Sequence, residues 1–317
     1  MKRSAIKRAS VLGALVSLGV LTAVVGPVVG GVQQPAQPAP KVVTVEKLKD
    51  NLYMLGGMGG GGNTAVFIGA NSITVVDTKN PGWGQPILDA IRKISNKPVS
   101  TIINTHTHGD HTSGNVEFPA SVEVVSHANT AANMQKMAAP SGFPPATTNI
   151  FKEHGGHGLP KRTFTDRLTL GGGADQIDLY YFGRGHTNGD AWVVFHAARV
   201  MHAGDIFSGK NVPLLDGVNG GSGVAIGDSL AKAHAATLKS VDQIITGHST
   251  VMTQADLLTY SEFNKEFLAA VQAGKKAGQT VEQIAASWKI PAKYTGYAEP
   301  AAMRLLSNVR VTYDEIR

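Results

Sequence analysis

Residues 105–115, THTHGDHTSGN, place three histidines and one aspartate within six positions: His106, His108, Asp110 and His111. Polar side chains at this density are unfavourable in an apolar core, yet imidazole and carboxylate groups are the ligands that transition metals use in proteins. His106 and His108 are two residues apart in an extended turn, so their side chains point the same way and can bind one ion. Asp110 and His111 point elsewhere and are expected to begin a second site.

Four groups cannot complete two metal sites, so further ligands are expected downstream. Three candidates each follow a β-rich segment and have a glycine beside them: His186 in GRGHTNGD, Asp205 in MHAGDIF and His248 in IITGHST. Because side chains at the ends of neighbouring strands can meet at one edge of a sheet, we predict that these three complete the ligand set. His202 precedes Asp205 on the same strand, and it is predicted to support the ligands from behind.

The elements that must position these residues are strands alternating with helices. AVFIGANSITVVDT predicts a β-hairpin, and VSTIINT predicts a buried strand that ends directly before the histidine cluster. Between them, GQPILDAIRKIS has apolar residues at helical spacing. Further strands are predicted at residues 122–126, 176–182, 191–195, 199–202 and 243–246, and further helices at 130–137 and 228–238. Only helix-period segments follow residue 251. The alternation of strands and helices before that point favours an α/β fold with strands and helices in layers.

HTHGDH, GHT, AGD and GH, in this order and with VVDT around Asp77, make the chain resemble the metallo-β-lactamase superfamily. The resemblance extends from Val42 to about Thr250. It implies an α/β four-layer αβ/βα sandwich with metals at one edge of two sheets, followed here by a helical cap at residues 252–317. It also implies three kinds of ligand: His106, His108 and His186 for one metal, Asp110, His111 and His248 for the other, and Asp205 as the bridge.

The chemistry that this resemblance implies is hydrolysis. Nitrogen and oxygen ligands without thiolate suit two zinc ions, and also iron or manganese. Zinc lowers the pKa of bound water to about 7, so a hydroxide bridging two ions would attack an ester, lactone, thioester or amide. Asp110 is predicted to be catalytic as well as a ligand. The best-known zinc β-lactamases carry a cysteine near Asp205, whereas this chain has no cysteine, so other hydrolases are favoured although a β-lactam stays among the candidates.

Two alternatives remain open from the residues. A mononuclear iron oxidoreductase similar to the sulfur dioxygenases would bind one ion through His106, His108 and His186. A non-catalytic exported accessory protein would keep the ligands for binding metal alone, although a set of seven ligands argues against this hypothesis. Metal analysis together with activity assays would distinguish the three.

Loop residues supply weaker candidates. Residues 55–63, LGGMGGGGN, lack the lysine of a phosphate-binding loop, so we predict a hairpin tip above the metals, with Met58 as a substrate contact. Trp83 in NPGWGQ is a second pocket candidate. His154 and His157 in FKEHGGHGLP are predicted to lie in an exposed glycine-rich loop and not among the ligands.

The N-terminal segment predicts export. Four of the six net positive charges of the chain come from Lys2, Arg3, Lys7 and Arg8, and the small remainder gives no reason to expect a nucleic-acid partner. These cations precede the apolar residues 11–29, so residues 1–31 are predicted to be a signal peptide or, alternatively, a membrane anchor. Residues 32–41 predict a Pro/Ala/Gln linker, and residues 42–317 the catalytic domain. We expect a periplasmic or secreted protein with a small-molecule substrate, in contact with a membrane only if the first segment is retained.

Overall fold

Seven strands from the first half of the chain form one sheet in chain order. The computed structural model describes residues 40–144 and 148–317. The first four strands are antiparallel and the last four are parallel, with the fourth shared between the two parts. The strands are β1 (Thr44–Lys49), β2 (Leu52–Gly56), β3 (Thr64–Ile68), β4 (Ile73–Val76), β5 (Val99–Asn104), β6 (Glu123–His127) and β7 (Arg162–Phe164).

Five later strands form the second sheet, in which neighbouring strands are again consecutive in the chain. Its strands pair antiparallel except for the last two, which are parallel. They are β8 (Arg167–Leu170), β9 (Ile177–Tyr180), β10 (Trp192–Phe195), β11 (Val200–Gly204) and β12 (Gln243–Thr246). The predicted strand at 243–246 is confirmed to the residue.

Eight α-helices accompany the two sheets in the described part of the chain. They are α1 (Gly84–Ile94), α2 (Gly109–Thr112), α3 (Ala128–Lys136), α4 (Ile150–Glu153), α5 (Ile226–Thr237), α6 (Gln254–Lys276), α7 (Val281–Ser287) and α8 (Ala302–Glu315). The three helical regions predicted before residue 251 correspond to α1, α3 and α5. The helical character predicted for the C-terminal part is also confirmed.

Three buried clusters of apolar side chains arrange these elements in layers. Ile87 and Ile91 of α1 pack on one face of the first sheet. Side chains from both sheets fill the space between them, where the rings of Phe67 and Phe195 stack with centroids 5.3 Å apart. Residues of α5 and α6 cover the other face of the second sheet. The order helix, sheet, sheet, helix is the predicted αβ/βα sandwich.

The C-terminal helices begin at defined caps and share a small core. Thr253 and Asp256 form a capping box at the start of α6, which satisfies backbone N–H groups that the first helical turn leaves free. Thr280 and Gln283 do the same for α7. Apolar residues of α6, α7 and α8 form a fourth buried cluster, so the three helices pack together.

Some strands of the structure were not predicted, and one prediction concerns residues that the structure does not describe. β1, β2, β7 and β8 were not among the predicted strands; β7 and β8 are only three and four residues long, too short for a clear periodic pattern. The predicted signal peptide or anchor and the linker up to residue 39 lie outside the described residues, whereas Pro40–Arg317 is one compact unit. Among the described helices, we find none with both the length and the apolar character needed to span a bilayer.

Candidate metal centre

The seven predicted ligands meet where strand ends of the two sheets face each other. His106, His108, Asp110 and His111 follow the end of β5, and His186 lies between β9 and β10. Asp205 comes directly after β11, and His248 is two residues beyond the end of β12. The structure therefore brings together all seven residues from four separate segments. We call His106, His108 and His186 the first ligand group, and Asp110, His111 and His248 the second.

The first ligand group is buried, and its ring nitrogens converge. Candidate ligand atoms of His106, His108, His186 and Asp205 all lie within 4.8 Å of one another. Nδ1 of His108 is 2.9 Å from Nε2 of His186, close to the separation of about 3.3 Å expected for two nitrogens on one tetrahedral zinc ion. Nε2 of His106 is buried and has no hydrogen-bond partner in the described chain. A metal ion would satisfy that atom, so the residues present fit one.

Hydrogen bonds outside the centre fix which nitrogen of each ring faces inward. Nε2 of His108 donates to Oδ2 of Asp216 at 2.8 Å, which leaves Nδ1 as the inward lone pair. Nδ1 of His186 donates to the carbonyl of Leu214 at 2.5 Å, which leaves Nε2 inward. Outer partners of this kind orient ligands and make them more basic. Burial also lowers the pKa of His186 to about 4, so this ring is neutral and able to bind metal near pH 7.

Asp77 connects the two ligand groups. Its Oδ2 accepts a hydrogen bond from Nδ1 of His111 at 2.8 Å and another from Oγ1 of Thr105 at 2.7 Å. The same Thr105 oxygen lies 2.9 Å from Nδ1 of His106 and accepts its proton. One buried carboxylate thus orients a histidine of each group, which gives the VVDT motif a structural role.

The second ligand group is closer to solvent and rich in charge. Nε2 of His248 lies 3.2 Å from Oδ2 of Asp110 and 3.2 Å from Nε2 of His111. Burial alone would lower the histidine pKa values, but Asp205 and the neighbouring carboxylates raise the pKa of His248 to about 9 and that of His111 well above its usual value. Metal ions compete with these protons for the same nitrogens. Metal binding at the second group would therefore displace protons.

Asp205 lies between the two groups. Its Oδ1 is 3.2 Å from Nε2 of His111, and its Oδ2 is 3.2 Å from Nε2 of His248 and 3.8 Å from Nε2 of His186. Although burial opposes ionisation, the nearby His111 and His248 hold the pKa of Asp205 well below its usual value. An ionised carboxylate facing both groups has the position that a bridging ligand requires.

A family model described as the metallo-beta-lactamase superfamily matches residues 58–248. The match covers more than half of the chain and contains all seven candidate ligands. The chain belongs to the metallo-β-lactamase superfamily. This superfamily is a hydrolase family. The αβ/βα layers and the site at the edge of the two sheets agree with the membership.

Similar proteins of the superfamily have low sequence identity to this chain. A metallo-beta-lactamase type 2 from Elizabethkingia meningoseptica is 26% identical over 186 residues, which are 56% of this chain and 66% of that protein. The match thus spans slightly less than two thirds of that relative's length. A metallo-beta-lactamase from Pontibacter korlensis has a TM-score of 0.55 at 18% identity, covering 70% of this chain and 99% of that one. The inverting sec-alkylsulfatase Pisa1 from Pseudomonas sp. has a TM-score of 0.66 at 16% identity, and the match covers 86% of this chain and 50% of that one.

The β2–β3 hairpin tip approaches the second ligand group. We call residues 57–63 the glycine loop. A methyl group at Gly62 would overlap the His111 ring, and one at Gly61 would lie 2.5 Å from the carbonyl of Asp110. Only glycine permits so close an approach. Met58 at the tip is 99% exposed. No neighbouring side chain of the described residues blocks it, and its contact with substrate stays a prediction.

Trp83 was predicted as a candidate to line the substrate pocket, but the structure buries it. Its side chain is only 4% exposed. The ring lies beneath the glycine loop, 2.8 Å from the position of a methyl group at Gly57 and 3.2 Å from one at Gly60. The loop covers the indole because its glycines let the backbone lie flat on the ring. Trp83 therefore supports the loop instead of meeting solvent.

Three other histidines form hydrogen bonds away from the ligand atoms. His202 is buried, its Nε2 donates to the carbonyl of Asn63 at 3.1 Å, and its Nδ1 accepts from the Gly204 N–H at 3.0 Å. It thus supports the strand end that presents Asp205, as the sequence predicts for a residue behind the ligands. His154 and His157 each contact a backbone carbonyl, and neither joins the metal centre.

Sequence reasoning missed Asp216. It lies in PLLDGVNG, a turn-like segment that carries no metal-binding signal, and it is 108 positions from the histidine that it contacts. Its other oxygen accepts from the N–H groups of Ser141 and Val218 at 3.0 and 3.1 Å. Such a role depends on tertiary contacts, so no local pattern could have indicated it.

Replacing Asp216 with asparagine should weaken binding at the first ligand group. The amide has no charge to hold the His108 proton outward, and losses of this kind reduce metal affinity by about 10-fold to 100-fold. Competition with a chromogenic chelator would measure the change. Asp314→Asn, on the exposed surface of α8, is the control and should keep the native affinity. Native affinity in a folded Asp216→Asn variant would show that this carboxylate does not orient His108.

Proposed function

We propose that the protein is a dinuclear zinc hydrolase that acts on a small-molecule ester, lactone, thioester or amide. The observation that carries the proposal is the position of Asp205, whose carboxylate oxygens face His111 and His248 on one side and His186 on the other. Three histidines on one side and two histidines with a carboxylate on the other give each ion enough protein ligands while leaving positions open. The absence of thiolate agrees with zinc bound by nitrogen and oxygen.

The described side chains have separate tasks in this reaction. Two bound zinc ions would supply Lewis acidity and a water molecule that ionises near neutral pH. His106 and His108 present ring nitrogens from imidazoles that outer hydrogen bonds hold in place. Asp110 is one-third exposed at the edge of the centre, and His111 and His248 lower its pKa to about 2 although burial opposes this. Its carboxylate is therefore ionised, and it can accept a hydrogen bond from the attacking water.

The names of similar proteins support hydrolysis but leave the substrate class broad. The curated relative and several matched structures are named metallo-β-lactamases, and another is named an inverting sec-alkylsulfatase. A β-lactam ring is a cyclic amide and therefore falls within the proposed class. The carboxylate of Asp205 in place of a cysteine thiolate favours the other esters and amides of that class.

A hydrolysis panel with metal quantified in the same sample tests this function. We expect close to two equivalents of zinc per chain in protein purified without chelator, and turnover of at least one ester, lactone, thioester or amide. One equivalent of iron with dioxygenase activity would replace the proposal with the mononuclear alternative. Two equivalents of metal with no turnover across the panel would favour a metal-binding accessory protein.

Metal removal should also destabilise the fold. The metal-free centre buries several imidazoles and carboxylates together, and an ion present at a thousandfold excess over its Kd stabilises the native state by about 4 kcal/mol. For a domain of this size that corresponds to a shift in Tm of roughly 8–16 °C. Thermal melts with and without EDTA, followed by zinc restoration, measure the shift. An unchanged Tm would show that the centre binds metal weakly or not at all.

We also propose that the protein is exported. The support is the cationic start of the chain, the apolar residues 11–29 and the Pro/Ala/Gln segment that follows. Cell fractionation with N-terminal sequencing should recover a chain that begins at about residue 31–41 from the periplasm or the medium. Full-length protein in the membrane fraction would indicate the anchor instead, and soluble cytoplasmic protein would contradict both.

A further inference from the structure

The glycine loop is held from below by a lysine that faces away from solvent. Lys79 is 0% exposed, and its Nζ donates a hydrogen bond to the carbonyl of Gly62 at 2.5 Å. Its aliphatic part passes beneath the loop, where Cδ would lie 3.1 Å from a methyl group at Gly60. We propose that Lys79 is a positioning residue that fixes the glycine loop on the second ligand group.

A buried ammonium group needs compensating partners, and this one has them. Fully buried lysines are rare because removing their charge from water is costly. Burial lowers the pKa of Lys79 to about 8, while Asp77 and Asp110 act in the opposite direction. The hydrogen bond from Nζ to the carbonyl of Gly62 supplies such a partner. A hydrogen bond from a charged donor is roughly twice as strong as one between neutral groups, so this contact is a strong attachment for the loop.

The segment that carries Lys79 contacts both the loop and the ligands. The N–H of Thr78 donates to the carbonyl of His111 at 2.7 Å, and the N–H of Asn80 donates to the carbonyl of Gly60 at 2.9 Å. Lys79 itself has φ +68°, a left-handed conformation that is unfavourable for residues other than glycine. Such a conformation persists only where surrounding contacts hold it. The backbone here thus connects the loop to the second ligand group.

The loop reaches the second ligand group from its other side as well. The N–H of Gly62 donates to the carbonyl of Asp110 at 3.0 Å, and the absence of a side chain at Gly62 lets the backbone lie against His111. The carbonyl of the same Gly62 accepts the lysine hydrogen bond. Without the ammonium, one side of this peptide group loses its attachment, and we expect the loop to open more often.

Hydrogen exchange in the loop tests the proposal without any substrate. Lys79→Met keeps most of the side-chain volume and removes the ammonium group. Lys97→Met is the matched control, because Nζ of Lys97 donates to the carbonyl of Gly69 at 2.7 Å at a different hairpin tip. We expect amide exchange in residues 57–63 to be at least about tenfold faster in Lys79→Met, as loss of a charge-assisted hydrogen bond implies. Exchange in the loop should remain native in Lys97→Met.

The kinetic effect rests on the proposed hydrolase function and is measured separately. For a substrate found in the hydrolysis panel, KM should rise about tenfold in Lys79→Met while kcat changes less than threefold, because the loop is predicted to contact substrate and the ligands remain. Native loop exchange in a folded Lys79→Met variant would overturn the proposal even if hydrolysis is established. Faster exchange throughout the chain would overturn it too, because it assigns Lys79 to general stability. Failure of both Lys79→Met and Lys79→Gln to fold would also overturn the proposal, because it would assign Lys79 to general stability.

Discussion

An Asp205→Asn variant is expected to lose about one equivalent of metal and to hydrolyse its substrate at least about tenfold more slowly. The substitution keeps the shape of the side chain and removes the negative charge between the two ligand groups. The second group should lose metal first, because its remaining ligands are only Asp110, His111 and His248, and His248 is more exposed than the histidines of the first group. Loss of support behind a ligand already reduces affinity by about 10-fold to 100-fold, so loss at a bridging carboxylate should cost at least as much.

Elemental analysis and steady-state kinetics on the same preparation measure this result. Asp242→Asn is the control, because Asp242 forms an exposed ion pair with Arg199, and it should keep both metals. His202→Ala should be milder than Asp205→Asn, because every ligand remains in place, and His154→Ala should be close to native. If Asp205→Asn retained two metals and full activity while His154→Ala lost them, the second site would have to be rebuilt around residues 153–158.

A Gly62→Ala variant should lose activity by about two orders of magnitude. The added methyl group would overlap the His111 ring, and His111 cannot yield easily because Asp77 holds its other nitrogen at 2.8 Å. Overpacking of this kind destabilises a protein by about 1–3 kcal/mol. Because Lys79 and the carbonyl of Asp110 hold the loop at Gly62, we expect the methyl group to displace the His111 ring, which disturbs the second ligand group. Metal content should fall toward one equivalent.

Gly59→Ala in the same loop separates this overlap from backbone strain. Gly59 has φ +75°, and no other atom of the described chain lies within 4 Å of a methyl group placed there. Alanine at this position carries only the conformational cost of about 1–2 kcal/mol for a left-handed residue. We therefore expect Gly59→Ala to keep both metals. Equal losses in the two variants would show that loop strain, not contact with His111, explains the effect.

The residues that meet at the candidate metal centre were predictable from the sequence because each is local to a recognisable feature. His106, His108, Asp110 and His111 form one short motif, and the other three ligands each follow a β-rich segment beside a glycine. The order of strands and helices was predictable for the same reason, since apolar periodicity is a local property. The edge strands β7 and β8 are only three and four residues long, too short to show this periodicity clearly.

Residues that act through long-range contacts could not be predicted. Asp216 reaches His108 from a turn that resembles any surface loop, and Lys79 in DTKNPGW resembles an exposed loop cation until the glycine loop covers it. Trp83 was misplaced for the same reason: its burial results from loop residues more than twenty positions earlier. Asp77 was singled out by its motif, but its contacts with both Thr105 and His111 required the assembled sheet.

The ligands come from both sheets, and this origin affects how quickly the protein unfolds. His111 and His248 are 137 positions apart, and they meet only after the two sheets have packed together. Contacts of such long range form late, because the chain entropy of closing the loop must be overcome first. Metal ions should therefore bind after the transition state for folding and leave the folding rate nearly unchanged. Their stabilisation would appear as slower unfolding, so bound ions would slow the opening of a fold that is already assembled.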